Sequence, residues 1–206
     1  MDNKLKDLAH AVIDGHVLIK DYDTGEVLLD KHNSINLINI AVAIASLLGG
    51  AVDTDSQEGF NVVKMVFGNR GTTINSQGNI EYKTPNTDTA TGTLYNQTYY
   101  KMVDGTDSRN PNDNNVEIRK YDGQVYSDVV VTATLQYDDP DNDPNNTDGP
   151  QDAVDDGSVG GTYTFDEIGL ITAADTYISH IVFHPIQKSA NRKVQIIYTL
   201  RIRAGS

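Results

Sequence analysis

The chain has no cysteine among its 206 residues, which excludes disulfide bonds and thiolate metal sites. It is also short of positive charge: 16 Lys and Arg stand against 29 Asp and Glu, a formal net charge of −13. Phosphate recognition needs a basic footprint, so no direct nucleic-acid partner is expected. Long apolar runs are missing too. The longest, Ile35 to Leu48, contains Asn36, Asn39 and Ser46, whereas a membrane-spanning helix takes about 20 apolar residues. The opening MDNKLKDLAHAVIDGH places Asp7, His10 and Asp14 among its apolar positions, unlike a signal peptide. The expectation is a soluble protein without a membrane partner, suited to a reducing cytoplasm.

Signatures of catalysis are lacking as well. There is no GxSxG, no HExxH and no thiol nucleophile. The turn Gly68-Asn69-Arg70-Gly71 is not followed by the Lys-Ser/Thr of a phosphate-binding loop. The reading is therefore non-enzymatic, with no catalytic, cofactor-binding or metal-binding residue assigned and no cofactor required.

Alternation is what the sequence has in abundance. In the closing segment, Val194, Ile196, Tyr198, Leu200 and Ile202 point one way, while Lys193, Gln195, Thr199, Arg201 and Arg203 point the other. Such period-2 patterning marks a half-buried strand, and one running almost to the last residue belongs inside a sheet. Ile178 onward supplies a second alternating strand, joined to the last by a Pro-containing connection. Further strands are predicted at His16–Lys20 and Glu26–Lys31 around a turn at Asp21–Gly25, then at Val62–Gly68, Tyr95–Val103, Val116–Tyr121, Tyr126–Tyr137 and Tyr163–Thr172. Residues 72–93 read as a Thr/Asn/Gly-rich excursion with little to bury. The fold class predicted is mainly β: an antiparallel β-sandwich of about nine strands with one buried helix at about residues 34–48. That helix is capped by Asn33 or Ser34, ends at Gly49-Gly50, and is apolar around nearly its whole circumference, so it is expected to be buried on several sides, as a core helix against a sheet first and an intersubunit helix second. Leu5, Leu8, Ala9 and Val12 fit a short amphipathic helix, so residues 1–14 form an N-terminal arm and 15–206 a single sandwich domain. A long acidic loop spans 138–161.

Several clusters invite a chemical reading, each beside a plainer one. Asp141, Asp143, Asn145 and Asp152 have the first, third, fifth and twelfth positions of a calcium loop. Asn146 stands where that loop needs Gly, though, and no bidentate Glu closes it, so a solvated loop is favoured. His180 and His184 have the spacing of a helical zinc pair, but on a strand they lie about 13 Å apart and fit polar positions on one sheet face. His10, His16 and His32 show no partner pattern. Asp166 and Glu167 point to opposite faces of a strand and lack a second carboxylate across a cleft, so they read as an edge carboxylate or turn cap. Tyr95, Tyr99 and Tyr100 suit packing first, then an interface, then a sugar face. From Thr176 onward Lys188, Arg192, Lys193, Arg201 and Arg203 meet no acidic residue, leaving −18 on the remainder. They fit a solvated sheet face, or a contact with the acidic part of a neighbouring subunit.

Taken in order, His32-Asn33-Ser34-Ile35-Asn36 before the helix, Met65-Val66-Phe67-Gly68-Asn69-Arg70-Gly71-Thr72-Thr73, Leu94-Tyr95-Asn96-Gln97-Thr98-Tyr99, Thr164-Phe165-Asp166-Glu167-Ile168-Gly169-Leu170 and the closing HIVFHPIQKSANRKVQIIYTLRI carry a resemblance. They resemble virion structural proteins of contractile-tailed marine phages, notably those infecting cyanobacteria. Arg70 interrupts a turn that is often a run of glycines in such proteins, and the acidic loop is longer than usual there. The resemblance implies a homo-oligomeric neck or collar, tail or baseplate component. It would be assembled in the host cytoplasm and reside in the virion beside other virion structural proteins. The alternatives are a receptor- or glycan-binding module of a tail fibre and a capsid decoration protein.

Overall fold

The computed structural model describes residues 10–50, 59–105, 107, 110, 114–140 and 163–205. In chain order these form β1 (His10–Asp21), β2 (Val27–His32), β3 (Ser34–Ile35), α1 (Leu37–Gly49), β4 (Val62–Gly68), β5 (Thr72–Ile74), β6 (Ile80–Tyr82), β7 (Gln97–Met102), β8 (Asn115–Lys120), β9 (Tyr126–Leu135), β10 (Tyr163–Thr172), β11 (Tyr177–Lys188) and β12 (Val194–Gly205). One five-stranded sheet has the order β2-β1-β12-β9-β8 and a second the order β3-β11-β10-β4-β7. A separate β5-β6 hairpin completes the set. All pairings are antiparallel. Among the described residues the chain is mainly β, with one helix and two large antiparallel sheets, the sandwich architecture expected.

The two sheets close on one core. Val194, Ile196, Tyr198 and Leu200 of β12 are buried beside Val17 and Ile19 of β1 and Val131, Ala133 and Leu135 of β9. Met65, Phe67, Tyr99, Tyr163, Phe165, Ile168 and Leu170 answer from the second sheet. Its aromatic members stack: the Phe165 ring lies 5.6 Å from that of Tyr163 and meets Phe67 edge-on at 5.5 Å. The alternation read from the last strand is the actual burial pattern, because β12 is the middle strand of its sheet and ladders with β1 and β9 along its length.

Local details differ from the sequence expectation in four places. The helix begins at Leu37 and its N-cap is Asn36, whose side chain accepts from Asn39 N at 3.1 Å; Gly50, at φ 65°, closes it in the left-handed conformation that glycine tolerates. Asn33 and Ser34 instead precede it at β3. The helix is buried on one side only, through Asn39, Ile40 and Ala43, while Leu37, Ile38, Val42, Leu47 and Leu48 are exposed. An all-round apolar surface does not mean all-round burial here, because a two-layer sandwich offers the helix a single flank. Val12 lies in β1, not in a helix, since the ladder to β12 already engages His10; Leu5, Leu8 and Ala9 lie outside the described residues. Finally, residues 72–93 contain the β5-β6 hairpin, whose turn is held by Asn75 Oδ1 accepting from Gln77 N and Asn79 N, each at 3.0 Å. Among the described residues no helix is long and apolar enough to cross a membrane.

The position of β12 gives a direct test of the core. Ile196→Ala, at a fully buried site, is expected to lower unfolding stability by about 2–5 kcal/mol. Ile118→Ala on β8, where the side chain is 66% exposed, is expected to change it by less than about 0.5 kcal/mol. Equilibrium urea denaturation separates the two.

Candidate functional site

A buried arrangement of ionisable groups lies on the outer side of the second sheet. Here Glu167 and His180 are buried, at 0% and 1% exposure. Glu167 Oε1 accepts from Asn96 N at 2.9 Å and Arg70 N at 3.3 Å, while Oε2 accepts from Tyr95 N at 2.9 Å. His180 Nδ1 accepts from Asn86 N at 2.9 Å, which leaves the ring proton on Nε2 to be donated to Glu167 Oε2 at 3.0 Å. Burial alone would raise the Glu167 pKa; the bonds from His180, Tyr95 and Asn96 outweigh it and hold the carboxyl below its ordinary 4.5.

Asp166 acts on the same turn from the other side. Its Oδ1 accepts from Gly71 N and its Oδ2 from Thr72 N, both at 2.8 Å, and the Thr72 hydroxyl also donates to Oδ2. Burial dominates at this residue and pushes its pKa up. Adjacent carboxylates on one strand therefore grip the Gly68–Thr72 turn and the 94–96 segment through backbone donors. Three β11 residues, 183–185, lie opposite Asp166 alone between the Glu167–Val182 and Phe165–Ile186 pairs. This irregularity lets neighbouring side chains serve neighbouring loops. The arrangement holds loops, most of its acceptor bonds coming from backbone N–H groups, and Asp166 also lines a pocket of about 310 Å³ with Thr72, Ile74 and Pro185.

Asparagines do the same for the helix. Asn36 Nδ2 donates to Thr89 O at 2.7 Å, and Asn39 Nδ2 donates to Ala90 O at 2.9 Å and Tyr177 O at 2.8 Å. Asn33 donates to the Tyr198 hydroxyl. Its side chain fills the space over Gly15, where a Cβ would come within 1.6 Å of Asn33 Oδ1.

The other sequence candidates are dispersed. His180 is buried and His184 exposed, with Nδ1 3.3 Å from the Tyr82 hydroxyl; alternation with core Ile181 and Phe183 leaves both on the side of β11 away from the core. Tyr99 is buried, Tyr95 donates to Thr84 O at 2.6 Å, and Tyr100 lies under Lys64 Nζ, with 5.6 Å from Nζ to the ring centroid. They do not converge on a common face. His16 Nε2 lies 2.6 Å from Asp30 Oδ1, and His16 meets His32 edge-on across β1 and β2. No group of three His, Asp or Glu among the described residues is placed to hold a metal ion. Asp141, Asp143, Asn145, Asn146 and Asp152 lie outside the described residues.

All five basic residues of the closing segment have partners within the chain. Arg201 grips Asp128 through two bonds of 2.7 and 2.8 Å, and Arg203 pairs with Asp14. Arg192 reaches Asp21 at 2.8 Å and Glu26 at 3.0 Å, and Lys193 stands 4.3 Å from the centroid of Tyr22. On β12 itself, Arg201 and Arg203 pair across strands with acids of their own sheet. A groove of about 350 Å³ over this face is lined by Asp14, His16, His32, Asp128, Arg201 and Arg203. A further cavity, about 700 Å³, lies between Leu28 and Leu29 on one side and His184 to Gln187 on the other.

Sequence reasoning missed one buried cluster. Lys101 Nζ donates to Asp139 Oδ1 at 2.7 Å, Tyr99 OH donates to the same oxygen at 2.8 Å, and Gln136 N donates to Oδ2 at 2.6 Å. Lys188 Nζ donates to the carbonyls of Tyr137 and Asp139, and burial pushes its pKa down to about 8. The available signal was parity: Lys101 has the alternation of buried Tyr99 and Val103.

Compared with protein-family models, curated proteins and solved structures, the chain matches none.

The Glu167 arrangement predicts a stability loss with a pH signature. Glu167→Gln turns an NH2 group toward backbone donors and should cost about 2–4 kcal/mol, since buried donors left unpaired cost about 1–3 kcal/mol each. Because the folded pKa lies below 4.5, the Glu167 contribution is full above pH 4.5 and fades as pH falls through the folded value. Urea midpoints between pH 3 and 7, on the order of the carboxylate range, should therefore fall less steeply on acidification in the variant.

Proposed function

We propose that this chain is a non-enzymatic structural component of a tailed-phage virion. It would assemble as a homo-oligomer in the neck or collar, tail or baseplate, beside other virion structural proteins. One observation carries this reading: the segments that resemble such proteins, though scattered along the sequence, meet in space and hold one another. Phe165-Asp166-Glu167 takes the backbone donors of Arg70, Gly71, Thr72, Tyr95 and Asn96. The Asn36–Asn39 start of the helix binds the adjoining 89–90 segment and β11. A motif set used this way serves a rigid framework, and a rigid framework is what repeated side-by-side assembly requires. The carboxylate pair that might have suggested hydrolysis is turned toward the backbone.

A glycan-binding module of a tail fibre draws less support, because Tyr95, Tyr99 and Tyr100 serve three separate environments. A capsid decoration protein shares the framework argument and differs in its copy number per particle.

The test is solution mass by light scattering across a concentration series. A closed assembly of several copies is the expected result, with a ring of six or twelve favouring the neck or baseplate on the family resemblance. A mass of one copy at every concentration would remove the homo-oligomer from this proposal, and a trimer would favour the fibre alternative.

A further inference from the structure

Two histidines on neighbouring strands stand side by side on the outer face of the first sheet. His16 of β1 is paired with His32 of β2. Next to them, Asn33 N donates directly across the ladder to Gly15 O at 3.1 Å. Pairs that exchange backbone bonds alternate with pairs that do not, and the latter bring their side chains closer. His16 and His32 are therefore a close pair, with Cβ atoms about 4.5–5.5 Å apart, and their ring centroids are separated by 5.5 Å. Both rings line the groove of about 350 Å³ described above, together with Asp14, Thr199, Arg201 and Arg203. Asp30 lies on the same face of β2 and places Oδ1 2.6 Å from His16 Nε2. A carboxylate oxygen at that distance accepts, so the ring proton is held at Nε2 and Nδ1 of the neutral ring keeps its lone pair.

We infer that His16 and His32 form a two-histidine site for a divalent late first-row metal ion: copper, nickel or zinc. Imidazole is a nitrogen donor suited to such ions, whereas calcium and magnesium take oxygen ligands. Two imidazoles bound to a tetrahedral ion at metal–nitrogen distances of about 2.0–2.1 Å hold their ring centres about 5 Å apart. The ladder already sets nearly that separation. One donor is also oriented in advance, since Asp30, His16 and the ion would stand in the carboxylate–imidazole–metal order that fixes the tautomer and raises ligand basicity. The other, His32, is exposed, and its ring nitrogens have no hydrogen-bond partner among the described residues. No third His, Asp or Glu among the described residues is placed to join the pair, so water completes the coordination, for which the groove has room. The two guanidinium groups nearby are balanced, Arg203 by Asp14 and Arg201 by Asp128, and the chain as a whole carries −13. Bound there, the ion clips β2, the outermost strand of its sheet, to β1 through side chains as well as backbone. The site needs only one copy of the chain and so stands apart from the assembly reading.

The experiment is calorimetric titration of the untagged, metal-free chain with Cu²⁺, Ni²⁺ and Zn²⁺ in turn. One ion per chain is expected, bound most tightly as Cu²⁺, with a thermal midpoint that rises as the ion is added. His16→Gln and His32→Gln should each weaken binding at least about tenfold, and Asp30→Asn, which removes the outer partner, about tenfold. All three side chains are at least partly exposed, so the metal-free variants should keep the circular dichroism and thermal midpoint of the parent. His184→Gln removes an exposed histidine outside the pair and should leave the affinity unchanged. Paramagnetic resonance of the Cu²⁺ complex gives a readout that does not depend on the variants: two nitrogen donors are expected in the parent. A single nitrogen would assign the ion to an isolated surface histidine and overturn the pair. A parent that takes up none of the three ions at one per chain would overturn it as well. So would His32→Gln keeping the parental affinity, or His184→Gln losing it.

Discussion

Glu167 is withdrawn completely from water and still held as a carboxylate, and the outer side of the second sheet is organised around that fact. Removing such an ion from solvent costs several kcal/mol unless its lone pairs find donors. Here they find the backbone N–H groups of Arg70, Tyr95 and Asn96 and the ring of His180. The dependence runs both ways. Those N–H groups sit in turns and loop segments, and without a side-chain acceptor they would be buried and unpaired, a state native structures rarely tolerate. The carboxylate and the loops thus stabilise each other, and Asp166 repeats the solution one residue earlier for Gly71 and Thr72.

Much of the fold was legible because strands announce themselves by period. Val62–Gly68 and Tyr163–Thr172 match β4 and β10 residue for residue, and the alternation of Val194 to Leu200 is the burial of β12. The two-residue β3 and three-residue β5 and β6 were not legible, since alternation needs more residues than they contain. The helix was visible, but its surroundings were not: apolar patterning reports which residues avoid water, and cannot say whether they avoid it inside one copy. The Asp166–Glu167 pair was read as an edge carboxylate or turn cap, but its targets lie about 70 to 100 residues away in sequence, beyond any local pattern. Lys101 and Lys188 were hidden for a related reason, since a lysine at a buried parity reads as an exposed one until its acceptor, Asp139, is located.

The charge asymmetry has a simple spatial resolution. Three of the basic residues after Thr176, Arg192, Arg201 and Arg203, face acids supplied by β1, β9 and the β1–β2 turn, so much of the excess of one segment cancels against the excess of others. Arg201 also lies over Tyr126, 4.3 Å from its ring centroid, which fixes the guanidinium plane that Asp128 reads. What is left over is a surplus of negative charge on the rest of the surface. That surplus favours solubility and disfavours indiscriminate contact.

The placement of β12 between β1 and β9 has a consequence for how the molecule comes to be. Arg203 and Asp14, joined in the finished sheet, are 189 residues apart along the chain, so the first sheet cannot close early. Until Val194–Gly205 arrives, β1 and β9 each present an open edge with unpaired backbone groups, and such edges recruit whatever strand is nearest. In a crowded solution of nascent copies, that strand can come from a neighbour instead of the chain itself. The closing segment is in that sense a latch: it ends the period during which one copy can be mistaken for part of another.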